Sequence, residues 1–95
     1  MPAYVIANVD VKDPMRYEEY RRIVPDSIAA HGGRYLARGG ECQVLEGAWQ
    51  PKRLVIVEFP SVAAARGWWD SPEYAALKAL RQATTNTELV ISEGL

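Results

Sequence analysis

The order in which extended and helical patterns follow one another constrains the fold of this 95-residue chain most. Residues 3–11 alternate between a face of small apolar side chains and a mixed face, which is typical of a strand. Residues 34–47 look extended with a break at Gly39, residues 53–59 form the clearest strand, and residues 86–93 close the chain as another. Apolar residues recur at helical spacing after the first and the third of these segments. The predicted order is therefore strand, helix, strand, strand, helix, strand.

Both helical regions contain start signals of the same kind. Asp13 precedes a proline, and Ser71 precedes another within the second helical region, which extends from residue 62 to about residue 82. We expect the first helix to end at Gly32, because glycine adopts the left-handed conformation without strain. Pro25 predicts a kink or a restart inside the first helical region, because proline removes one helical hydrogen bond.

This βαββαβ order predicts one ferredoxin-like α+β domain over residues 1–95, an antiparallel sheet with the helices on one face. The other face would then carry large apolar side chains, namely Tyr4, Ile6, Leu54, Ile56, Leu89 and Ile91. Apolar surfaces of that size usually mark an interface. Pairing two sheets face to face covers such a surface, so we expect a symmetric homodimer.

Composition and charge exclude several classes of protein. The net charge of −1 provides no basic excess for a nucleic-acid backbone, so we expect no nucleic-acid partner. No apolar segment approaches the roughly 20 residues that span a bilayer, so we expect no membrane association. The single cysteine, Cys42, forms no internal disulfide, and residues 1–4 lack the features of a signal peptide. These observations predict a cytoplasmic protein.

Several short motifs resemble a known family. The stretch from His31 to Leu36 resembles the His-Gly-Gly-Arg-Tyr signature of family 1330 of the domains of unknown function. Other segments matching that family in order are Tyr4-Val5-Ile6, Tyr17 and Tyr20, Arg38-Gly39-Gly40, Leu45-Glu46-Gly47, Trp49 with Pro51, Val57 to Ser61, Trp68-Trp69, Ser71 to Tyr74, and Arg81. The resemblance implies the dimeric α/β-barrel superfamily, which includes antibiotic-biosynthesis monooxygenases and muconolactone isomerases. It implies a pocket between the sheet and the helices or the partner subunit. The family has no established reaction.

Two residues are candidates for acid–base catalysis. His31 is the only histidine, and an imidazole is a common general base at neutral pH. The alternative is that His31 ends the first helix and interacts with its last carbonyls. Glu58 lies in the most apolar strand, where a buried carboxylate would suit acid–base chemistry. The alternative for Glu58 is an ion pair with Arg34 or Arg38, which we favour slightly.

Five further residues are candidates for ligand binding. Asn8 shares the mixed face of the first strand and could orient a substrate carbonyl or satisfy a neighbouring backbone group. Arg34 and Arg38 are predicted to share one strand face and could bind a carboxylate, or form a solvated face or dimer salt bridges. Trp69 and Tyr74 could wall a pocket, although aromatic residues there more often pack beneath a helix.

Three functions remain open from the sequence. The first is a cofactor-independent enzyme that acts on a small carbonyl or aromatic compound in a pocket between sheet and helices or at the dimer interface. The second is a homodimer that binds a small ligand without altering it, and the third is a purely structural homodimer. A single histidine without a cysteine or carboxylate cluster predicts no metal site. The absence of nucleotide and flavin fingerprints predicts no cofactor.

Overall fold

A computed structural model of the protein describes residues 1–95. It has seven elements, which are β1 (Ala3–Val11), α1 (Pro14–Ala30), β2 (Arg34–Arg38), β3 (Leu54–Phe59), α2 (Val62–Trp69), α3 (Pro72–Thr84) and β4 (Thr85–Glu93). The predicted order of strands and helices is confirmed, and the second helical region consists of two helices separated at Asp70 and Ser71. None of the helices is both long enough and apolar enough to cross a membrane.

The four strands form one antiparallel sheet in the order β2-β3-β1-β4. The central strand β1 pairs with β3 on one side and with β4 on the other, so β2 and β4 are the edges. The helices pack against one face of this sheet, where the core lies. The ferredoxin-like α+β fold predicted from the sequence is confirmed.

Side-chain caps define where the helices begin. The carboxylate of Asp13 accepts a hydrogen bond from the Arg16 amide at 3.3 Å, and the Ser71 hydroxyl accepts one from the Tyr74 amide at 3.2 Å. Helix α1 continues through Pro25 as one helix. It ends where Gly32 adopts a φ of +78° and donates to the carbonyl of Ala29. The capping signals in the sequence therefore correctly predicted both helix starts and the end of α1.

The core lies between the sheet and the helices. On β1 the small side chains of Val5, Ala7 and Val9 face the helices, and Phe59 at the end of β3 is fully buried. Burying one such large apolar side chain contributes about 1.5–3 kcal/mol. The helices add a set of aromatic and β-branched side chains, namely Tyr17, Tyr20, Val24, Ile28, Trp68 and Tyr74. Aromatic side chains of the helices thus pack against the small side chains of β1.

The faces of β4 differ from the prediction. The register pairs Ala7 with Leu89 and Val5 with Ile91, so Leu89 and Ile91 lie on the helix face and not on the open face. Val90 takes the open face instead and is 59 % exposed. An uninterrupted apolar run gives no alternation from which to assign faces, and the pairing with β1 decides which residues point inward.

The segment 39–53 also differs from the prediction. Strand β2 ends at Arg38, and residues 39–53 contain no strand or helix, whereas the sequence pattern suggested an extended segment to residue 47. Gly39, with a φ of +79°, turns the chain as its amide donates to the Leu54 carbonyl at 2.9 Å. Trp49 from this segment lies over the open face of the sheet, where it lines a hollow with Ile6 and Val90.

Candidate functional site

Two hollows share Arg81 as a lining residue. An enclosed cavity of about 40 Å³ lies between the sheet and the helices, with Tyr20, Tyr35 and Arg81 as its polar lining residues. An open groove of about 670 Å³ runs along the edge strand β4, and Arg81 and Leu89 line it as well. The enclosed cavity has room for about two or three water molecules, whereas the groove has the size of a small-molecule site. Arg81 therefore lies at the junction of a buried chamber and a solvent-accessible groove.

A buried polar cluster surrounds that junction. Tyr74 and Arg81 are seven residues apart on α3 and therefore share one face of the helix, and Tyr20 projects from α1. The Tyr20 and Tyr74 hydroxyls are 2.8 Å apart, and Nε of Arg81 donates to the Tyr74 hydroxyl at 3.3 Å. Tyr74 is fully buried and Arg81 is only 5 % exposed. We call these three side chains the Arg81 cluster.

Burial controls the protonation of the Arg81 cluster. Desolvation, reinforced by the neighbouring Tyr74, raises the pKa of Tyr20 far above its ordinary value, so this phenol stays neutral. Desolvation alone would lower the pKa of Arg81, but the interactions with Tyr74 and Tyr20 outweigh it and the net shift is upward. Burial also raises the pKa of Tyr35, although nearby Arg38 opposes the shift. The site therefore presents one permanent cation beside the neutral phenols of Tyr20 and Tyr35.

The hydrogen-bond donors of the Arg81 cluster exceed its acceptors. No carboxylate of the protein forms a salt bridge with Arg81. The two hydrogen bonds of the cluster use two of the three protons on Arg81 Nε, Tyr20 and Tyr74. One phenolic proton and the terminal guanidinium nitrogens consequently remain available to an acceptor.

Trp69 forms one wall of the groove. Its ring lies beneath Nζ of Lys78 at 4.2 Å, and that ammonium also donates to the Trp69 carbonyl at 2.8 Å. The neighbouring Trp68 is buried instead, stacks on Tyr74 with ring centroids 4.1 Å apart, and donates to Ser27. Of the two adjacent tryptophans, one belongs to the core and the other faces the groove.

Glu58 and Arg34 lie together on the open face of the sheet. Nε and Nη2 of Arg34 approach Oε1 of Glu58 at 3.0 Å and 2.9 Å, and the two residues are cross-strand partners. This is the ion pair that we favoured for Glu58. The sheet separates this pair from the Arg81 cluster on the helix face, so the catalytic role suggested for Glu58 stays a prediction.

The prediction that Arg34 and Arg38 share a face is wrong. A β-bulge between Tyr35 and Ala37 shifts the register of β2, so Arg38 pairs with Val55 and lies on the helix face. There its guanidinium donates to the Arg21 carbonyl of α1 and stacks over Tyr35 at 4.6 Å. One extra residue in the strand reverses the alternation on which the prediction depended.

His31 and Asn8 lie apart from the Arg81 cluster. His31 ends α1, as one of the two interpretations expected, and its Nε2 lies 3.4 Å from Oε1 of Glu73. It lines neither the cavity nor the groove. Oδ1 of Asn8 accepts from the Lys52 amide at 2.9 Å, which satisfies a backbone group, and Asn8 lines the far end of the groove. A catalytic role for His31 is therefore not supported by proximity and stays a prediction.

Sequence reasoning selected Trp69 and Tyr74 for this region but missed Tyr20 and Arg81 as site residues. A signal for Arg81 was present, because it follows Tyr74 and Leu77 at helical spacing and so places a cation on the apolar stripe of α3. No group of three or more histidine, cysteine or acidic side chains lies close enough together to hold a metal ion.

Comparison with known proteins supports the fold. A protein of unknown function from Rhodopseudomonas palustris is 22 % identical, with 99 % of this chain and 82 % of that chain aligned and a TM-score of 0.80. A dimeric ferredoxin-like protein of unknown function from Jannaschia is 14 % identical over 99 % and 100 % of the chains, with a TM-score of 0.73. SnoaB, a cofactor-independent oxygenase from Streptomyces nogalater, is 12 % identical over 99 % and 93 %, with a TM-score of 0.68.

A search of curated proteins finds no match. The family model described as Domain of unknown function (DUF1330) matches residues 2–95, which is nearly the whole chain and includes the residues that carried the resemblance in the sequence. The protein therefore belongs to the DUF1330 family.

Proposed function

We propose that the protein is a cofactor-independent enzyme that acts on a small aromatic or carbonyl compound in the groove beside the Arg81 cluster. The observation that carries this proposal is a buried guanidinium without an acidic partner at the junction of cavity and groove. A concave site in which a few polar groups keep unused donors is typical of binding sites. Trp69 and Leu89 supply apolar surface for a planar ligand.

The chemistry available at the Arg81 cluster is charge stabilisation. A guanidinium and a phenol that are already oriented lower the energy of an oxygen on which negative charge develops, and exclusion of water strengthens this effect. Tyr20 stays protonated, so it remains a donor throughout the physiological pH range. SnoaB shows that this fold can support an oxygenase without a cofactor, which is consistent with the proposal.

The test is an activity screen of protein treated with chelator, using small phenolic and carbonyl compounds with oxygen uptake and mass spectrometry as readouts. We expect turnover without added metal or cofactor, and at least about a 100-fold loss in Arg81→Met, as for removal of one preorganised donor. Arg16→Met removes an exposed arginine on α1, away from the groove and from the open face of the sheet, and is the matched control. Equal activity in Arg81→Met and Arg16→Met, or a requirement for metal, contradicts the proposal.

Ligand binding without catalysis is the second candidate. It is favoured by the helix-side lining of the groove, because Trp69, Arg81, Gln82, Thr85, Thr87 and Leu89 include no histidine, cysteine or carboxylate to act as a general base. A compound that raises the melting temperature but is recovered unaltered after prolonged incubation would support this function over the enzyme.

We also propose that the protein forms a homodimer through the open face of the sheet. Tyr4, Ile6, Leu54, Ile56 and Val90 lie on that face without a covering layer, and Trp49 is 64 % exposed beside them. The similar structures from Jannaschia and from Bacteroides fragilis are described as dimeric and ferredoxin-like. Covering an apolar sheet face with a second copy removes this surface from water.

Sedimentation at about 10 µM protein tests the dimer, since a stable interface of ordinary size persists at this concentration. Ile56→Glu places a charge at the centre of the open face, so we expect monomers. Ile23→Glu alters an exposed position on α1 and should leave the dimer intact. A monomeric native protein, or equal dissociation in both variants, would refute this interface.

A further inference from the structure

We propose that the groove binds a small aromatic carboxylate and that Arg81 holds its carboxylate group. This inference rests on the proposed function, because it names the class of compound that the same site accepts. Arg81 is only 5 % exposed, yet no protein carboxylate balances its charge. Buried charges in proteins are normally paired, so the missing counter-charge points to an anionic ligand.

The unused donors match a carboxylate. Nε of Arg81 is occupied by Tyr74, which leaves the terminal nitrogens for an acceptor. One proton of the Tyr20–Tyr74 pair is also left without an acceptor, whichever phenol donates to the other. A carboxylate only accepts hydrogen bonds and can accept from both donors, whereas a primary amide must direct its own donors into a site that offers few acceptors.

The charges around Trp69 favour an anion on the helix side of β4. Arg66 lines the hollow beside Trp69, and Lys78 lies over its ring. Neither forms a salt bridge. The acidic residues that line the groove, Asp10 and Glu88, project from the opposite face of the sheet, and Asp10 is paired with Lys12 at 2.9 Å.

A singly charged group fits better than phosphate. Arg81 lies in the last turn of α3, where the carbonyl end of the helix dipole disfavours additional negative charge. No helix N-terminus or second arginine joins Arg81 in lining the groove, and the other cationic lining residue, Lys52, is bonded through its amide to Asn8 on the opposite face of β1. One guanidinium, with the phenol of Tyr20 in the adjoining cavity, therefore suits a monoanion.

The shape of the site places the ring in the groove. The enclosed cavity of about 40 Å³ has no room for an aromatic ring, whereas the groove of about 670 Å³ has. Trp69, Leu89 and Ile91 form an apolar wall along this side of β4. The ligand would lie against Trp69 with its carboxylate directed toward Arg81.

The test compares the binding of benzoate and 1-naphthoate with that of benzamide and 1-naphthamide to the native protein by titration calorimetry. We expect each carboxylate to bind at least about tenfold more tightly than its amide, as for a hydrogen bond to a charged group. Arg81→Met should abolish this preference, and Arg81→Lys should weaken it because lysine lacks the fork. Arg16→Met, at an exposed position on α1, is the matched control and should retain it.

The preference in the native protein decides the question even if Arg81→Met does not fold. Equal binding of acid and amide overturns the proposal. Dissociation constants above about 10 mM for both carboxylates overturn it too, because binding that weak is not specific. Displacement of benzoate by an equal concentration of inorganic phosphate overturns it too. A preference for carboxylates without any turnover would contradict only the proposal that the protein is an enzyme. Turnover of neutral compounds alone would contradict only the proposal that the ligand is a carboxylate.

Discussion

Replacing Tyr74 by phenylalanine removes the hydroxyl that links Arg81 to Tyr20. This oxygen is fully buried, 2.8 Å from the Tyr20 hydroxyl and 3.3 Å from Nε of Arg81. A hydrogen bond between neutral groups contributes about 1 kcal/mol, and one from a charged donor about 1.5–3 kcal/mol, with the longer Arg81 bond at the lower end. Since both partners remain buried without replacement, we expect Tyr74→Phe to lower the free energy of unfolding by about 2–3 kcal/mol.

Urea denaturation at one fixed protein concentration measures this effect, because association also contributes to stability. With a slope of about 1 kcal/mol per molar urea, the midpoint should fall by about 2–3 M. Tyr17→Phe is the matched control, because Tyr17 is also buried, at 7 % exposure, but its hydroxyl makes no hydrogen bond. Equal destabilisation by Tyr74→Phe and Tyr17→Phe would refute the role assigned to the Arg81 cluster.

Three further changes test the packing and protonation described above. Gly33→Ala should destabilise the protein by about 1–3 kcal/mol in urea titration, because a Cβ there would meet core side chains at 2.6 Å and 2.7 Å, whereas Gly40→Ala meets nothing within 4 Å and should be neutral. Trp68→Ala should lower the free energy of unfolding by about 3–5 kcal/mol, and a loss of less than about 1 kcal/mol would contradict the position of Trp68 in the core. The raised pKa of Tyr20 predicts stability that is complete below about pH 10, where unfolded tyrosine ionises, and is lost progressively above it. Tyr20→Phe should flatten this alkaline decline in thermal melts, and an unchanged slope would show that other groups cause it.

Much of the fold could be predicted from the sequence because the signals are local. The alternation in residues 3–11 matches β1, and the capping residues Asp13 and Ser71 do begin helices. These features depend on neighbours within a few positions, where propensity and capping act directly. The extended pattern predicted for residues 41–47 failed because no strand pairs with that segment. A strand needs a partner, and local propensity does not supply one.

The site was less predictable because it depends on contacts between distant residues. Tyr20 and Tyr74 are 54 positions apart in the sequence, and their hydrogen bond exists only because α1 and α3 pack side by side. His31 and Glu58 were conspicuous as the sole histidine and an acid within an apolar strand. Arg34 pairs with Glu58 and accounts for that side chain without a ligand, whereas Nε2 of His31 lies 3.4 Å from Oε1 of Glu73 and makes no hydrogen bond.

The sequence by itself determined the succession of elements, the helix caps and the two faces of β1, because periodicity and capping are properties of short stretches of chain. The tertiary structure alone decided the register of β4, the bulge that turns Arg38 to the helix face, and the burial of Arg81 without a carboxylate. Strand register and burial depend on which elements meet in three dimensions, and shifting a strand by one residue exchanges its faces. The most informative residue for function is therefore Arg81, because only the tertiary structure shows that it is buried without an acidic partner.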